Sequence, residues 1–217
     1  MKISRKFMIR SSTGSYWVNI ASGLRERIQG HRFGVVDAGV AQFILRESVN
    51  LVRLVGEEKS KSLATTEALL LELDSRGMSK VDVPAAVGGG LIQDVATLAF
   101  SIYMRGVPWN FFPTTLMAML DSCIGGKSSI NLGNKKNRLG NFFPPQQIYV
   151  DPWFIASLDQ VGIVSGLAEA SKIVFAKGPA DFYGFLANPS SLDPSDDDET
   201  ADLIALVLRS KAQFIEN

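Results

Sequence analysis

The chain has 217 residues, of which 46% are hydrophobic and 20% charged, enough apolar material for a sizeable core. Its 22 basic and 22 acidic residues cancel, so charge makes no case for nucleic acid or a membrane surface as a partner. Cys123 is the single cysteine, which excludes an intrachain disulfide and fits a reducing cytoplasm, and no apolar run reaches the ~20 residues of a membrane span.

The opening MKISRKFMIR lacks the apolar core of a signal peptide. Residues 2–10 alternate charged and apolar side chains, which favours a strand; SSTGS is a turn, and residues 16–20 (YWVNI) form a second strand. A short helix over 21–29, with Leu24 and Ile28 on one face, leads to the loop QGHRF. Its His31, the only histidine, reads as a solvated loop residue, and a zinc site built on two histidines cannot be completed from these residues. Residues 33–36 look like a buried strand ending at Asp37; 40–47 can be helical, 51–55 returns to strand, and 57–62 (EEKSKS) is a charged loop. A helix over 65–77 carries Leu69, Leu70 and Leu73 on one stripe with Gly77 as its C-cap, and residues 81–87 (VDVPAAV) form a strand.

Strand and helix alternate throughout this part, which argues for an α/β domain with a mostly parallel, Rossmann-like sheet. Ligands in such sheets sit at the carboxyl ends of the strands. Asp37, Gly88–Gly90 and Thr114–Thr115 each follow a candidate strand and could line one crevice. Beyond Asp151, residues 161–176 read as a helix burying Val164, Leu167, Ala168 and Ile173, and 182–186 as a short apolar piece. Residues 188–200 (NPSSLDPSDDDET) are a surface loop, and 201–215 a helix burying Leu203, Ile204, Val207 and Leu208. This divides the chain into an α/β domain over 1–155 and the start of a helical domain over 156–217.

The chemistry concentrates between Gly88 and Asn137. A triple glycine after a strand lets the backbone approach an anion and offers N–H groups at a helix start, or it is only a tight turn. The helix it opens would bury Leu91, Val95, Leu98, Ala99 and Ile102. The GxGxxG pattern fails because Gln93 stands where the last glycine should be. Gly125-Gly126-Lys127 resembles half a P-loop, but Asp121 occupies the position of its first glycine, which rejects ATP. Lys127, Lys135 and Lys136 are either a solvated loop or point charges for a sugar phosphate. Glu169 and Lys172 share a helix face as a surface ion pair or, in so small-residue a segment, as the wall of a functional cleft.

The set GGGLIQD, YMRGVPW, PTTL, DSCIGGK, KKNRLG and GLAEASK, with VVDAGVA and EEKSKS upstream, resembles the 3-dehydroquinate synthases and the wider sugar phosphate cyclase superfamily. The resemblance implies an N-terminal α/β domain binding NAD and a C-terminal helical domain carrying a zinc or cobalt ion. It also implies an enzyme that transiently oxidises an alcohol, eliminates phosphate, reduces the ketone again and closes a carbocycle by aldol addition. It matches Asp37, Glu58, Lys61, Gly89, Gly90 and Asp94 to NAD contacts, and Thr114, Thr115, Lys136 and Phe154 likewise. Asp121, Lys127 and Asn137 match active-site groups near the nicotinamide and the substrate; Lys172 matches a contact to a substrate carboxylate or hydroxyl. Arg105 matches an arginine that reaches the substrate phosphate across a homodimer interface, and Glu169 a carboxylate metal ligand.

Two departures stand out. Gly39 replaces an asparagine that contacts ribose, and GGKSSIN replaces GGKTGVN in the wall of the site. The two metal-ligating histidines of the family have no counterpart here, so the 217 residues are expected to be part of a longer enzyme and not to turn over alone. The rival readings are a cyclase acting on sedoheptulose 7-phosphate or glucose 6-phosphate instead of a seven-carbon keto-acid phosphate, a polyol dehydrogenase, and a non-catalytic module binding NAD or a sugar phosphate. DSCIGGK and KKN argue against the dehydrogenase.

Overall fold

The computed structural model describes residues 5–44, 51–186 and 197–216. The chain starts with an antiparallel hairpin of β1 (Lys6–Ser11) and β2 (Gly14–Ile20), running in register from Lys6 opposite Asn19 to Ser11 opposite Gly14. A 3-10 helix over Leu24–Gly30 leads to β3 (Gly34–Asp37), α1 (Ala38–Ile44) and β4 (Val52–Leu54). Then come α2 (Leu63–Ser75), β5 (Ala85–Gly88), α3 (Gly90–Ile102) and β6 (Asn110–Pro113). A small hairpin of β7 (Ile130–Leu132) and β8 (Lys135–Leu139) precedes β9 (Gln147–Val150).

Among the described residues the main sheet has seven strands in the order β1-β2-β9-β6-β5-β3-β4. Every pairing except β1–β2 is parallel, so the expected mostly parallel α/β sheet is what the chain forms. The order places β3, β5 and β6 side by side, with Val36 opposite Val87 and Gly88 opposite Pro113. Asp37, Gly88 and Thr114 therefore leave the sheet at one edge, as the sequence anticipated.

Helices α4 (Gln160–Lys177), α5 (Pro179–Leu186) and α6 (Asp197–Glu216) follow a 3-10 turn over Pro152–Ser157. Their buried side chains join one continuous apolar core with those of the sheet. α6 lies along the first hairpin: Arg5 donates to Asp202 at 2.7 Å, the Arg10 N–H donates to Glu216 at 2.9 Å, and Arg209 sits 4.3 Å over the Phe7 ring.

Several local expectations change, each for a physical reason. Residues 81–84 are a loop, not strand. Pro84 has no N–H to donate, the Asp82 carboxylate accepts from the Ser79 N–H at 2.8 Å, and Val81 is 88% exposed. The 57–62 loop contains a 3-10 turn, Glu58–Ser60. The expected buried face of α3 loses Ile102, which is exposed, and Leu91, which is half-buried, and keeps Val95, Leu98 and Ala99. In α4 the buried face is Gly166, Ala170, Ile173 and Val174, with Val164 and Ala168 exposed. The helix turns its small residues inward because they meet Leu116; a Cβ on Gly166 would come within 2.5 Å of Leu116 Cγ.

His31 is not solvated: its Nδ1 lies 3.0 Å from the Val83 carbonyl oxygen and its ring packs edge-on against Phe112. Residues 197–200, expected in a loop, open α6; the rest of that loop, 188–196, lies outside the described residues, as do 2–4 of the first strand and 45–47 of the expected second helix. α2 starts two residues earlier than expected, at Leu63, because Ser62 caps it, its Oγ accepting from the Thr65 N–H; as expected, it closes at Gly77, with φ 83°. Leu203, Ile204, Val207 and Leu208 of α6 are buried.

Candidate functional site

A cleft of about 590 Å³ opens where β5 hands over to α3. Its walls are the first turn of α3 (Gly90, Gln93, Asp94), the segment carrying Asp121, Ser122 and Lys127, the face of α4 with Glu169 and Lys172, and Lys211 and Phe214 of α6. The glycines at its entrance have different reasons. A Cβ on Gly88 would lie 2.5 Å from Ile92 Cγ1, and one on Gly89 2.9 Å from Thr115 Cγ2, so both are required for the helix to pack on its strand. A Cβ on Gly90 would meet only Ser122 Oγ at 3.6 Å; this glycine lines the cleft and keeps the backbone there approachable. No side chain caps α3, and Gly90 of its first turn lines the cleft.

Opposite that helix end, residues Ala118–Ser122 wind as a π-helical turn closed by the Cys123 N–H on the Ala118 carbonyl at 3.1 Å. Such bulges recur at functional sites because they re-aim side chains. This one turns Asp121 into the cleft, where the Lys211 ammonium meets both its Oδ1 and its backbone oxygen at 2.6 Å. Glu169 and Lys172 form an ion pair on α4, which raises the Lys172 pKa. Lys127 faces the cleft without an ion pair among the described residues.

A second cluster flanks the cleft. Lys61, only 7% exposed, bridges Asp94 Oδ2 at 2.8 Å and Asn137 Oδ1 at 2.7 Å. The other Asp94 oxygen accepts from the Ser129 N–H at 2.9 Å; burial outweighs these contacts and raises the Asp94 pKa. Asn131 donates to Glu58 at 3.0 Å and accepts from the Asn137 N–H at 3.0 Å, and Lys136 lies 3.8 Å from Glu58. The amide of Asn131 leads the lowering of the Glu58 pKa. Asn137 takes a left-handed φ of 56°.

The sequence-predicted residues thus fall into groups. Gly90, Asp94, Asp121, Lys127, Glu169 and Lys172 share the cleft. Glu58, Lys61, Lys136 and Asn137 form the flanking network, so Asn137 sits beside Lys61 rather than beside Asp121. Asp37 ends β3, holding the Gly39 N–H at 2.9 Å, while Gly89, Thr114 and Thr115 pack at the β5–β6 edge. Phe154 is 0% exposed and packs edge-on against Trp153, so its side chain belongs to the core rather than to a cleft wall. Arg105 lies at the far end of α3, on an exposed turn where Met104, Arg105 and Gly106 have φ of 47°, 67° and 102°.

Sequence reasoning missed Lys211, Asn131 and Ser122 as site residues. Lys211 carried a signal: it interrupts the apolar stripe of Val207, Leu208 and Ala212. Asn131 and Ser122 carried none, since their roles depend on contacts 73 and 29 residues away.

Comparison with known proteins adds the following. The family model of the 3-dehydroquinate synthase N-terminal region matches residues 51–165. The 3-dehydroquinate synthase of Methylacidiphilum infernorum is 38% identical over 153 residues, which cover 70% of this chain and 40% of that protein. That of Chlamydia caviae is 44% identical over 115 residues, covering 53% and 30%. A 2-epi-5-epi-valiolone synthase from Actinomyces sp. is 36% identical over 160 residues, covering 69% and 42%. The chain therefore spans about half the length, or less, of the curated relatives it matches.

Among solved structures, 2-deoxy-scyllo-inosose synthase in complex with carbaglucose-6-phosphate, NAD+ and Co2+ superposes with a TM-score of 0.82 at 20% identity, over 98% of this chain and 62% of that one, which speaks for the fold alone. ValA, a 2-epi-5-epi-valiolone synthase from Streptomyces hygroscopicus solved with NAD+ and Zn2+, gives 0.73 at 28% identity over 85% and 54%.

Proposed function

The chain belongs to the 3-dehydroquinate synthase family, and from that premise we propose that it forms the NAD-binding half and one substrate wall of a carbocycle-forming phosphate lyase of the dehydroquinate synthase type. The observation that carries this is the single cleft in which a glycine-lined helix N-terminus faces alternating lysines and carboxylates. NAD, when bound, supplies the acceptor for a hydride taken from a substrate alcohol and later returned. The chain's own residues bind and orient. The α3 end with Gly89 and Gly90 would receive the dinucleotide phosphates, and Asp37, one strand away, a ribose hydroxyl. Glu58, Lys61, Lys136 and Asn137 would hold the dinucleotide along the flanking hairpin.

Lys127, Lys172 and Lys211 present ammonium groups to the phosphate and carboxylate of a sugar-phosphate substrate, where they would stabilise charge as phosphate leaves. Asp121, held by Lys211, is placed to accept a proton from a bound hydroxyl. Arg105, on its strained exposed turn, would serve the cleft of a second copy.

A divalent metal does not fit the described residues by themselves. The cleft carboxylates Asp94, Asp121 and Glu169 are each paired with a lysine, no imidazole or thiolate joins them, and no group of three such donors clusters among the described residues. Glu169 is proposed only as a single carboxylate ligand of a zinc or cobalt ion. The valiolone synthase relatives support a second reading, a cyclase acting on another sugar phosphate. Calorimetric titration of the folded 217-residue chain with NAD+ tests the proposal: saturable binding is expected, and no heat from a chain shown to be folded would end it.

A further inference from the structure

Gln93 stands where a dinucleotide-binding loop would carry a third glycine, and its side chain is 2% exposed. Its amide is used at both ends by one residue: Nε2 donates to the Ser122 carbonyl at 2.6 Å, and Oε1 accepts from the Ser122 hydroxyl at 2.7 Å. Ser122 directly follows Asp121 and closes the π-helical turn. Such single π turns are rare and recur at functional sites, and this one is tied to α3 through Ser122. On its other side the Asp121 backbone oxygen is held by Lys211.

We propose that Gln93 is a positioning residue whose reciprocal amide pair with Ser122 locks the Asp121 turn to the first turn of α3, and so sets the spacing between the nucleotide end and the anion end of the cleft. The inference rests on the cleft being the binding site named above. The chemistry requires glutamine. A methionine fills the same space without either hydrogen bond. A glutamate keeps the shape but, when ionised, loses the donor to the Ser122 carbonyl and sets a charge against it. A protonated glutamate restores both contacts, and the burial of this position pushes such a carboxyl pKa upward.

The test uses the full chain with Gln93→Met, Gln93→Glu and Ser122→Ala, reading NAD+ affinity by calorimetry and amide hydrogen exchange by segment. Gln93→Met is expected to weaken NAD+ binding and to speed exchange across residues 118–124, each about tenfold, as the loss of two buried hydrogen bonds implies. Exchange in β1, β2 and α2 should stay at wild-type rates. Ser122→Ala, which removes one of the two bonds, should fall between. Gln93→Glu is expected to behave like Gln93→Met near about pH 8 and to return toward wild type near about pH 5.5, a recovery that a loss of packing would not show.

Unchanged exchange over 118–124 in Gln93→Met, or no acid recovery in Gln93→Glu, overturns the inference. If wild type itself does not bind NAD+, the nucleotide reading fails, and the exchange rates still decide whether the amide pair holds the turn.

Discussion

Replacing Lys61 with methionine keeps the length of its apolar stem and deletes the ammonium, which isolates the charge it serves. Lys61 bridges Asp94 and Asn137 at 2.8 and 2.7 Å from a position that is 7% exposed, and the Asp94 side chain is itself 21% exposed. After the substitution Asp94 keeps one N–H, from Ser129. Breaking such a pair from one side costs about 3 kcal/mol at neutral pH, the lower end of the range because Asp94 retains some solvent. The pH dependence has a definite sign. The Asp94 pKa is already raised by burial, and losing Lys61 raises it further.

A carboxyl whose folded pKa lies above its unfolded value is destabilising where it is ionised. The penalty in Lys61→Met is therefore full above the folded Asp94 pKa and fades as pH falls toward the ordinary carboxylate range. Urea denaturation at about pH 7.5 and about pH 5 measures it, with Lys61→Met/Asp94→Asn as the closing corner of a double-mutant cycle. A penalty under about 1 kcal/mol that is the same at both pH values, or a double variant no more stable than Lys61→Met, would refute the reasoning.

His31 gives a second pH effect. Burial lowers its pKa, against the opposing contact with the Val83 carbonyl. A histidine held neutral loses stability for the fold as pH drops from its unfolded value near ~6.5 to the lower folded one, so His31→Gln should flatten the melting-temperature profile in that window; an unchanged slope counts against it. Gly166→Ala puts a methyl 2.5 Å from Leu116 Cγ and should cost about 1–3 kcal/mol in a denaturant titration, with Leu116→Ala in the same chain relieving the clash. Lys211→Met removes the ammonium held by Asp121; because the cleft is open to water the expected cost is only about 1 kcal/mol, while amide exchange at residues 118–124 should accelerate. A loss several times larger would mean that α6 docks through this contact rather than through its apolar face.

The parallel sheet was legible because short buried apolar runs and strand-end glycines are local signals. Asp37, Gly88–Gly90 and Thr114–Thr115 needed only their order in the chain to be placed together. The face of α4 was misread because apolarity marks large side chains, whereas Gly166 and Ala170 are buried for being small. Val81 looked like strand until Pro84 and the Asp82–Ser79 turn are considered together. His31 was misplaced because Phe112 and Val83 approach it from 81 and 52 residues away, and Lys211, although it interrupts the apolar stripe of α6, has its partner Asp121 90 residues away.

The charge balance of the whole chain carries no sign of the site; local motifs do. Equal numbers of acids and bases make no case for nucleic acid or a membrane surface, yet three lysines (Lys127, Lys172, Lys211) and three carboxylates (Asp94, Asp121, Glu169) converge on one cleft. Two of those lysines are matched inside it, Lys172 by Glu169 and Lys211 by Asp121. The third carboxylate, Asp94, is neutralised by Lys61 from outside the lining. Among the described residues Lys127 is left over, so their part of the cleft carries one uncompensated cation plus the positive end of α3. In the proposed reading an entering phosphate would find Lys127 unpaired and could compete for Lys172 and Lys211 with partners that remain close by, so desolvation would be shared rather than imposed on one bare ion. Such pairing would offset the repulsion among the lysines while leaving them available to an anion, which a block of unpaired lysines would not do.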